Sequence, residues 1–166
     1  MKWMKWDNLY LVALSVDDQR CYEVLKDFNE NAASLYENSD VIDCITDIDE
    51  APSKDDLDGP NNSLVVYDDV MLQNNQIQLR YIPEVDIKIK NTDLIYVTQC
   101  YTQIPKVIRD NCNILAVFNG VDNRLQNIYY SWCSGKMKMN KLKNFFANAQ
   151  STTFGFISIN LRDRRS

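Results

Sequence analysis

Five short apolar runs, each stopped by polar or turn-forming residues, constrain this chain more than any other feature. They are Asn8 to Ser15 (NLYLVALS), Ser63 to Tyr67 (SLVVY), Asp93 to Thr98 (DLIYVT), Asn113 to Phe118 (NILAVF) and Gly155 to Leu161 (GFISINL). Asn8 to Ser15, with little alternation, reads as a strand buried on both faces, Ser63 to Tyr67 as a second buried strand, and the other three as further strands. The segments between them carry helix signals. Asp17 or Asp18 is placed to cap a helix in which Cys21, Val24, Leu25 and Phe28 recur at i, i+3, i+4 and i+7. Pro105 fits the first turn of a short helix reaching Arg109. Asn123 to Trp132 and Met139 to Ala149 read as helices, the second with Leu142, Phe145 and Phe146 on one face. Glu30 to Ile48 gives a weaker signal, read as helical in part, and Ser53 is placed to cap a short helix before a surface turn. Strands alternating with helices predict an α/β fold: a mostly parallel sheet of about five strands with flanking helices.

At 166 residues with 45% hydrophobic content the chain is long enough for a single domain spanning 1–166. The opening MKWMKW is basic and aromatic but too short in apolar residues for a signal peptide, and no run approaches the roughly 20 apolar residues of a membrane span. The expectation is a soluble, intracellular protein, cytoplasmic or nuclear or virion-associated, without membrane contact. Five widely spaced cysteines, with no Cys-x-x-Cys pair, read as reduced thiols mostly in the core and not as a structural metal site. The absence of histidine excludes Ser-His-Asp and Cys-His catalysis and every histidine-ligated metal.

The net charge of −5 is unevenly spread. Met1 to Asn75 carries 17 acidic and 5 basic residues, whereas Gln76 to Ser166 carries 6 and 13. Lys136, Lys138, Lys141, Lys143, Arg162, Arg164 and Arg165 form a C-terminal basic cluster that could touch the phosphates of DNA, or be a solvated helix face and tail.

The sharpest local motif is Leu64-Val65-Val66-Tyr67-Asp68-Asp69, four apolar residues ending in two carboxylates. That is the form of a Walker B strand. A buried strand delivers its last residues to the carboxyl edge of the sheet, where α/β folds bind ligands. There the first carboxylate would hold Mg²⁺ through water and the second would polarise the water attacking a γ-phosphate. The bland alternative is an acidic turn after a strand.

A second block follows: the strand Leu94 to Val97 ends in Thr98-Gln99 and runs on through Cys100-Tyr101-Thr102-Gln103-Ile104-Pro105-Lys106-Val107-Ile108-Arg109-Asp110-Asn111. This segment resembles the Ser/Thr-Gln, aromatic, Ile/Leu-Pro-Lys/Arg and Ile-Arg-x-Asn pattern of the FtsK/HerA-like DNA-packaging ATPases of poxvirus-like viruses, virophages and polinton transposons. The likeness runs in order through WDNLYLVALS, the Ala51-Pro52-Ser53 turn, LVVYDD, the Thr-Gln to Ile-Arg-Asp-Asn block and FGFISINL. It implies that Asp68 and Asp69 correspond to the metal and water-activating pair and Gln99 to a γ-phosphate sensor. It further implies that Arg109 corresponds to an arginine orienting a phosphate or facing a neighbouring subunit, and that the cofactor of the ancestral family is Mg-ATP.

The match fails at the phosphate. Such an ATPase needs Gly-x-x-x-x-Gly-Lys-Ser/Thr, whose backbone amides cradle the phosphates. The glycines stand at 59, 120, 135 and 155, and the one Gly-Lys pair, Gly135-Lys136, is followed by Met137 and preceded five residues earlier by Tyr130. The resemblance therefore implies a P-loop-NTPase-like core without its first strand and phosphate loop, and without the family's basic Arg-Gly-Arg-His segment, since Val85 to Asn91 offers only Lys88 and Lys90. Alone, the chain is expected to take no cofactor and to act as a non-catalytic interaction module whose partner is a second copy, a full-length packaging ATPase or a capsid protein. The alternatives are a part of an active ATPase whose loop is supplied upstream or by another chain, and a nucleic-acid-binding or structural protein using the basic half.

Overall fold

The computed structural model describes residues 6–13, 27, 41–57, 59–70, 91–118 and 122–161. They fall into two compact units, 1–99 and 100–166.

In the first unit four strands form one sheet: β1 (Asn8–Ala13), β2 (Val41–Ile45), β3 (Ser63–Asp68) and β4 (Thr92–Val97), in the order β2-β1-β3-β4 and all parallel. β1 and β3 lie inside the sheet. Their residues are buried on both faces, Val12, Val65 and Tyr67 almost completely, which is why these two runs lack the alternation of a half-exposed strand. Asp7 and Asn62 set the register at the amino end. Asp7 N donates to Asn62 O at 2.7 Å, and Asn62 N donates back to Asp7 Oδ2 at 2.8 Å. Asn8 is thereby brought opposite Ser63, and the whole ladder follows, down to Ala13 opposite Asp68.

Before β3, α1 (Lys54–Leu57) is one turn held by a reciprocal cap. Ser53 Oγ accepts from Asp56 N at 3.4 Å while the Asp56 carboxylate accepts from Ser53 N at 2.8 Å. The Ser53 hydroxyl also donates to Asp56 Oδ2 at 2.6 Å, and that bond, with the one from Ser53 N, holds the Asp56 carboxyl below the usual carboxylate range. Leu57, buried, closes the turn onto the unit.

In the second unit a turn at Tyr101–Gln103 leads to α2 (Lys106–Asn111), β5 (Ile114–Val117), α3 (Asp122–Ile128), a wide turn of helix over Tyr129–Cys133, α4 (Met139–Gln150) and β6 (Ile157–Asn160). β5 and β6 pair antiparallel, Ile114 opposite Asn160 and Val117 opposite Ile157. Tyr101, Leu125, Ile128, Trp132, Leu142 and Phe146 pack the core of this unit. Trp132 Nε1 donates to the Tyr101 hydroxyl inside it, so both aromatic polar tips are matched where water is excluded.

The α/β class and the mostly parallel sheet stand, with three corrections. Val41–Ile45, expected to be helical in part, is a strand: VIDCI is short, and its pairing with β1 is a long-range choice that local pattern does not encode. The last two apolar runs form the antiparallel pair and not part of the parallel sheet. Phe145 is exposed, whereas Leu142 and Phe146, one helical turn apart, are buried. The helix expected after Asp17 or Asp18 lies outside the described residues except for Asp27, which is helical. Of the described cysteines only Cys133 is fully buried; Cys44, Cys100 and Cys112 are half-buried. Among the described residues no helix is long and apolar enough to cross a membrane.

Candidate functional site

The strand order reverses between β1 and β3: β2 follows β1 on one side, and β4 follows β3 on the other. Open α/β sheets bind ligands outside the carboxyl ends of their strands, at such a reversal. The apolar register of β3 carries Asp68 and Asp69 to that edge. Asp68 is the last strand residue, paired with Val97 of β4. Asp69 then leaves the strand in the left-handed region, φ 51°, a conformation that aspartate tolerates better than most side chains. Asp69 N still donates to Val97 O at 3.2 Å, and Val70, fully buried, anchors the turn.

β4 delivers the third polar residue. Gln99 stands two residues beyond its end, and its Nε2 donates to Asp69 Oδ2 at 2.8 Å. Beneath them Tyr67 and Tyr96 face each other across the strands, ring centroids 6.4 Å apart and tilted by 33°. Burial, reinforced by the Asp69 charge, pushes the Tyr96 hydroxyl up to about 12. The site is therefore a pair of adjacent carboxylates and a carboxamide, with a neutral phenol below.

Asp68, Asp69 and Gln99 are the described residues that the resemblance would give to magnesium nucleotide. Among the described residues no group of three or more Asp, Glu or Cys side chains is arranged to hold a metal. One Asp69 oxygen already accepts from Gln99. No described glycine opens a phosphate loop between a strand and a helix: Gly59 lies in the turn after α1, Gly135 in the turn before α4 with φ 89°, and Gly155 after α4.

Asp68, Asp69 and Gln99, singled out from the sequence, thus lie at adjacent strand tips of the first unit. Arg109 belongs to the second unit, in α2, where its guanidinium carbon lies 5.5 Å from the centroid of the Tyr101 ring. Lys136, Lys138, Lys141 and Lys143 are all exposed, at the turn before α4 and on its first half. Arg162, Arg164 and Arg165 lie outside the described residues. Tyr96 was not legible as part of the site, because its relation to Asp69 depends on the β3–β4 register. The exposed aromatic rings around α4 and β6 were missed because Phe145 reads by spacing as core.

The chain matches no protein-family model, no curated protein and no solved structure.

Proposed function

We propose that this protein is a non-catalytic relative of the FtsK/HerA-like genome-packaging ATPases and works as an interaction module. One observation carries the reading. The strand that ends in paired carboxylates lies parallel and adjacent to the strand that ends in Thr-Gln, and the glutamine is hydrogen-bonded to the second carboxylate. That juxtaposition is what an ATPase core needs to couple a metal-holding strand to a γ-phosphate sensor. In this chain the same residues serve the fold: Gln99 ties the tip of β4 to the turn after β3.

Binding is the role this reading gives the chain. β4 supports it, because Ile95 and Val97, two residues apart and so on one face of the strand, are exposed large apolar side chains. The reading predicts that Mg-ATP at millimolar concentration gives no heat in titration calorimetry and no rise in melting temperature. A micromolar dissociation constant would overturn it, since ligand at about 100 times its dissociation constant stabilises by about 2.7 kcal/mol and is readily seen in melting. Sedimentation velocity at increasing protein concentration tests whether a second copy is the partner; Ile95→Lys with Val97→Lys is expected to abolish any association seen.

A further inference from the structure

The second unit holds a groove that the nucleotide-site reading does not use. It is about 530 Å³ and is lined by Trp132, Met137, Leu142, Phe145, Phe156 and Ile159, with Lys136 also in its wall. Two of the lining rings continue onto the surface. Phe156 packs against Phe118, ring centroids 5.1 Å apart, and Phe145 carries the Lys141 ammonium 5.8 Å from its ring centroid. The large hydrophobic side chains exposed in this unit are Ile114, Phe118, Tyr130, Phe145, Phe154 and Phe156. All but one are aromatic, which favours flat, stackable groups over the aliphatic side chains of a peptide.

Charge points the same way. The segment from Asn123 to Arg162 contains six basic side chains and no acidic one. Among the described residues the ion pair in this unit joins Lys106 and Asp110 within α2. Lys136, Lys138, Lys141 and Lys143 are exposed and lie within the eight residues that approach and begin α4. Exposed rings interleaved with unneutralised ammonium groups are the components of a single-strand binding surface, where bases stack on aromatics and phosphates meet lysines. A duplex would offer the phosphates but keep its bases from the rings.

We propose that this groove and the lysines beside it bind single-stranded nucleic acid, bases on Phe145 and Phe156 and backbone along Lys136, Lys138 and Lys141. The proposal uses only the second unit and stands apart from the reading of Asp68, Asp69 and Gln99.

The test is fluorescence anisotropy of the full 166-residue chain with a labelled 20-nucleotide oligothymidine probe at low salt, beside a duplex of equal length and a polyglutamate competitor. Binding of the single strand should fall steeply with salt. It should drop more than about tenfold in Lys136→Glu with Lys141→Glu, which removes phosphate partners and reverses their charge. Phe145→Ala should weaken it roughly tenfold while leaving the salt slope unchanged. Because Phe145 is exposed, that variant should keep the parent's circular dichroism; Lys138→Gln serves as a second surface variant and should weaken binding and flatten the slope. No binding at low salt, equal affinity for the duplex, or indifference to Phe145→Ala would each overturn the proposal. Displacement by polyglutamate as effective as by unlabelled oligothymidine would also overturn it, in favour of an acidic protein partner.

Discussion

Gln99 donates its Nε2 hydrogen to Asp69 at 2.8 Å, and it meets that carboxylate at a residue whose backbone has already turned out of β3 into the left-handed region. The bond and the backbone conformation can be separated by substitution. Asp69→Gly removes the carboxylate together with the Cβ and is at ease with φ 51°; Asp69→Ala removes the carboxylate and keeps a Cβ that resists it, without the polar side chain that makes the left-handed region tolerable for aspartate. The alanine variant should therefore be less stable than the glycine variant by about 1 kcal/mol in urea unfolding. A double-mutant cycle with Gln99→Ala should return a coupling of about 0.5–1 kcal/mol, the range of a partly exposed hydrogen bond. An alanine variant as stable as the glycine variant would remove the turn described here.

Tyr96 lies under that pair, and its hydroxyl is pushed up to about 12 by burial first and by Asp69 second. The sign follows from which form the fold prefers. The neutral phenol is favoured in the native state, so this contribution to stability is complete below the unfolded value near 10 and is lost as pH rises from about 10 toward 12. Spectrophotometric titration near 295 nm should show a late-ionising tyrosine that disappears in Tyr96→Phe. In Asp69→Asn that tyrosine should titrate earlier than in the parent while remaining above 10, because burial is the larger cause. An unchanged titration in Asp69→Asn would place the carboxylate too far from the phenol to matter.

Both predictions draw on positions whose legibility in the sequence differs. SLVVYDD announces its strand and its acidic end, because a strand buried on both faces must be a continuous apolar run and must stop where charge begins. DLIYVTQ also announces a strand, although β4 is the edge of the sheet and leaves Ile95 and Val97 exposed. Their adjacency, and so the Asp69–Gln99 bond and the Tyr67–Tyr96 pair, is a matter of long-range register, which neither segment carries alone. Val41–Ile45 shows the same gap from the other side. Its Asp43 is exposed and interrupts a five-residue apolar segment, so only pairing with β1 makes it a strand. In α4 the spacing located the helix but not its rotation: Leu142 and Phe146 face the core, and Phe145, one residue away, does not.

Phe154 has φ 58° and is 88% exposed, an unusual conformation for a bulky side chain that buries almost nothing in return. Phe154→Gly should relieve that conformation and raise the unfolding free energy by about 0.5–1 kcal/mol, the strain outweighing the greater freedom of glycine in the unfolded chain. Thermal melts of parent and variant at one protein concentration measure it. A lower melting temperature for the variant would show that the ring makes packing contacts worth more than the strain.

Gly155 is fixed by the opposite circumstance, a lack of space. After α4 the chain folds back so tightly that a Cβ at this position would lie 1.8 Å from the Ala149 carbonyl oxygen and 2.4 Å from Thr152 Oγ1. The first of those is backbone at the end of a helix and is already engaged, accepting from Thr152 N at 3.2 Å and from Thr152 Oγ1 at 2.9 Å. It cannot move without opening the turn that leads into β6. Gly155→Ala should therefore cost about 2–3 kcal/mol or more, the scale of forced overpacking. Gly135→Ala is the internal control. Nothing lies within 4 Å of its added Cβ, and only its φ of 89° opposes the change, so it should cost about 1 kcal/mol. If chemical unfolding ranks the two variants the other way, the return of the chain onto the end of α4 is looser than drawn, and the placement of β6 beside β5 loses its anchor.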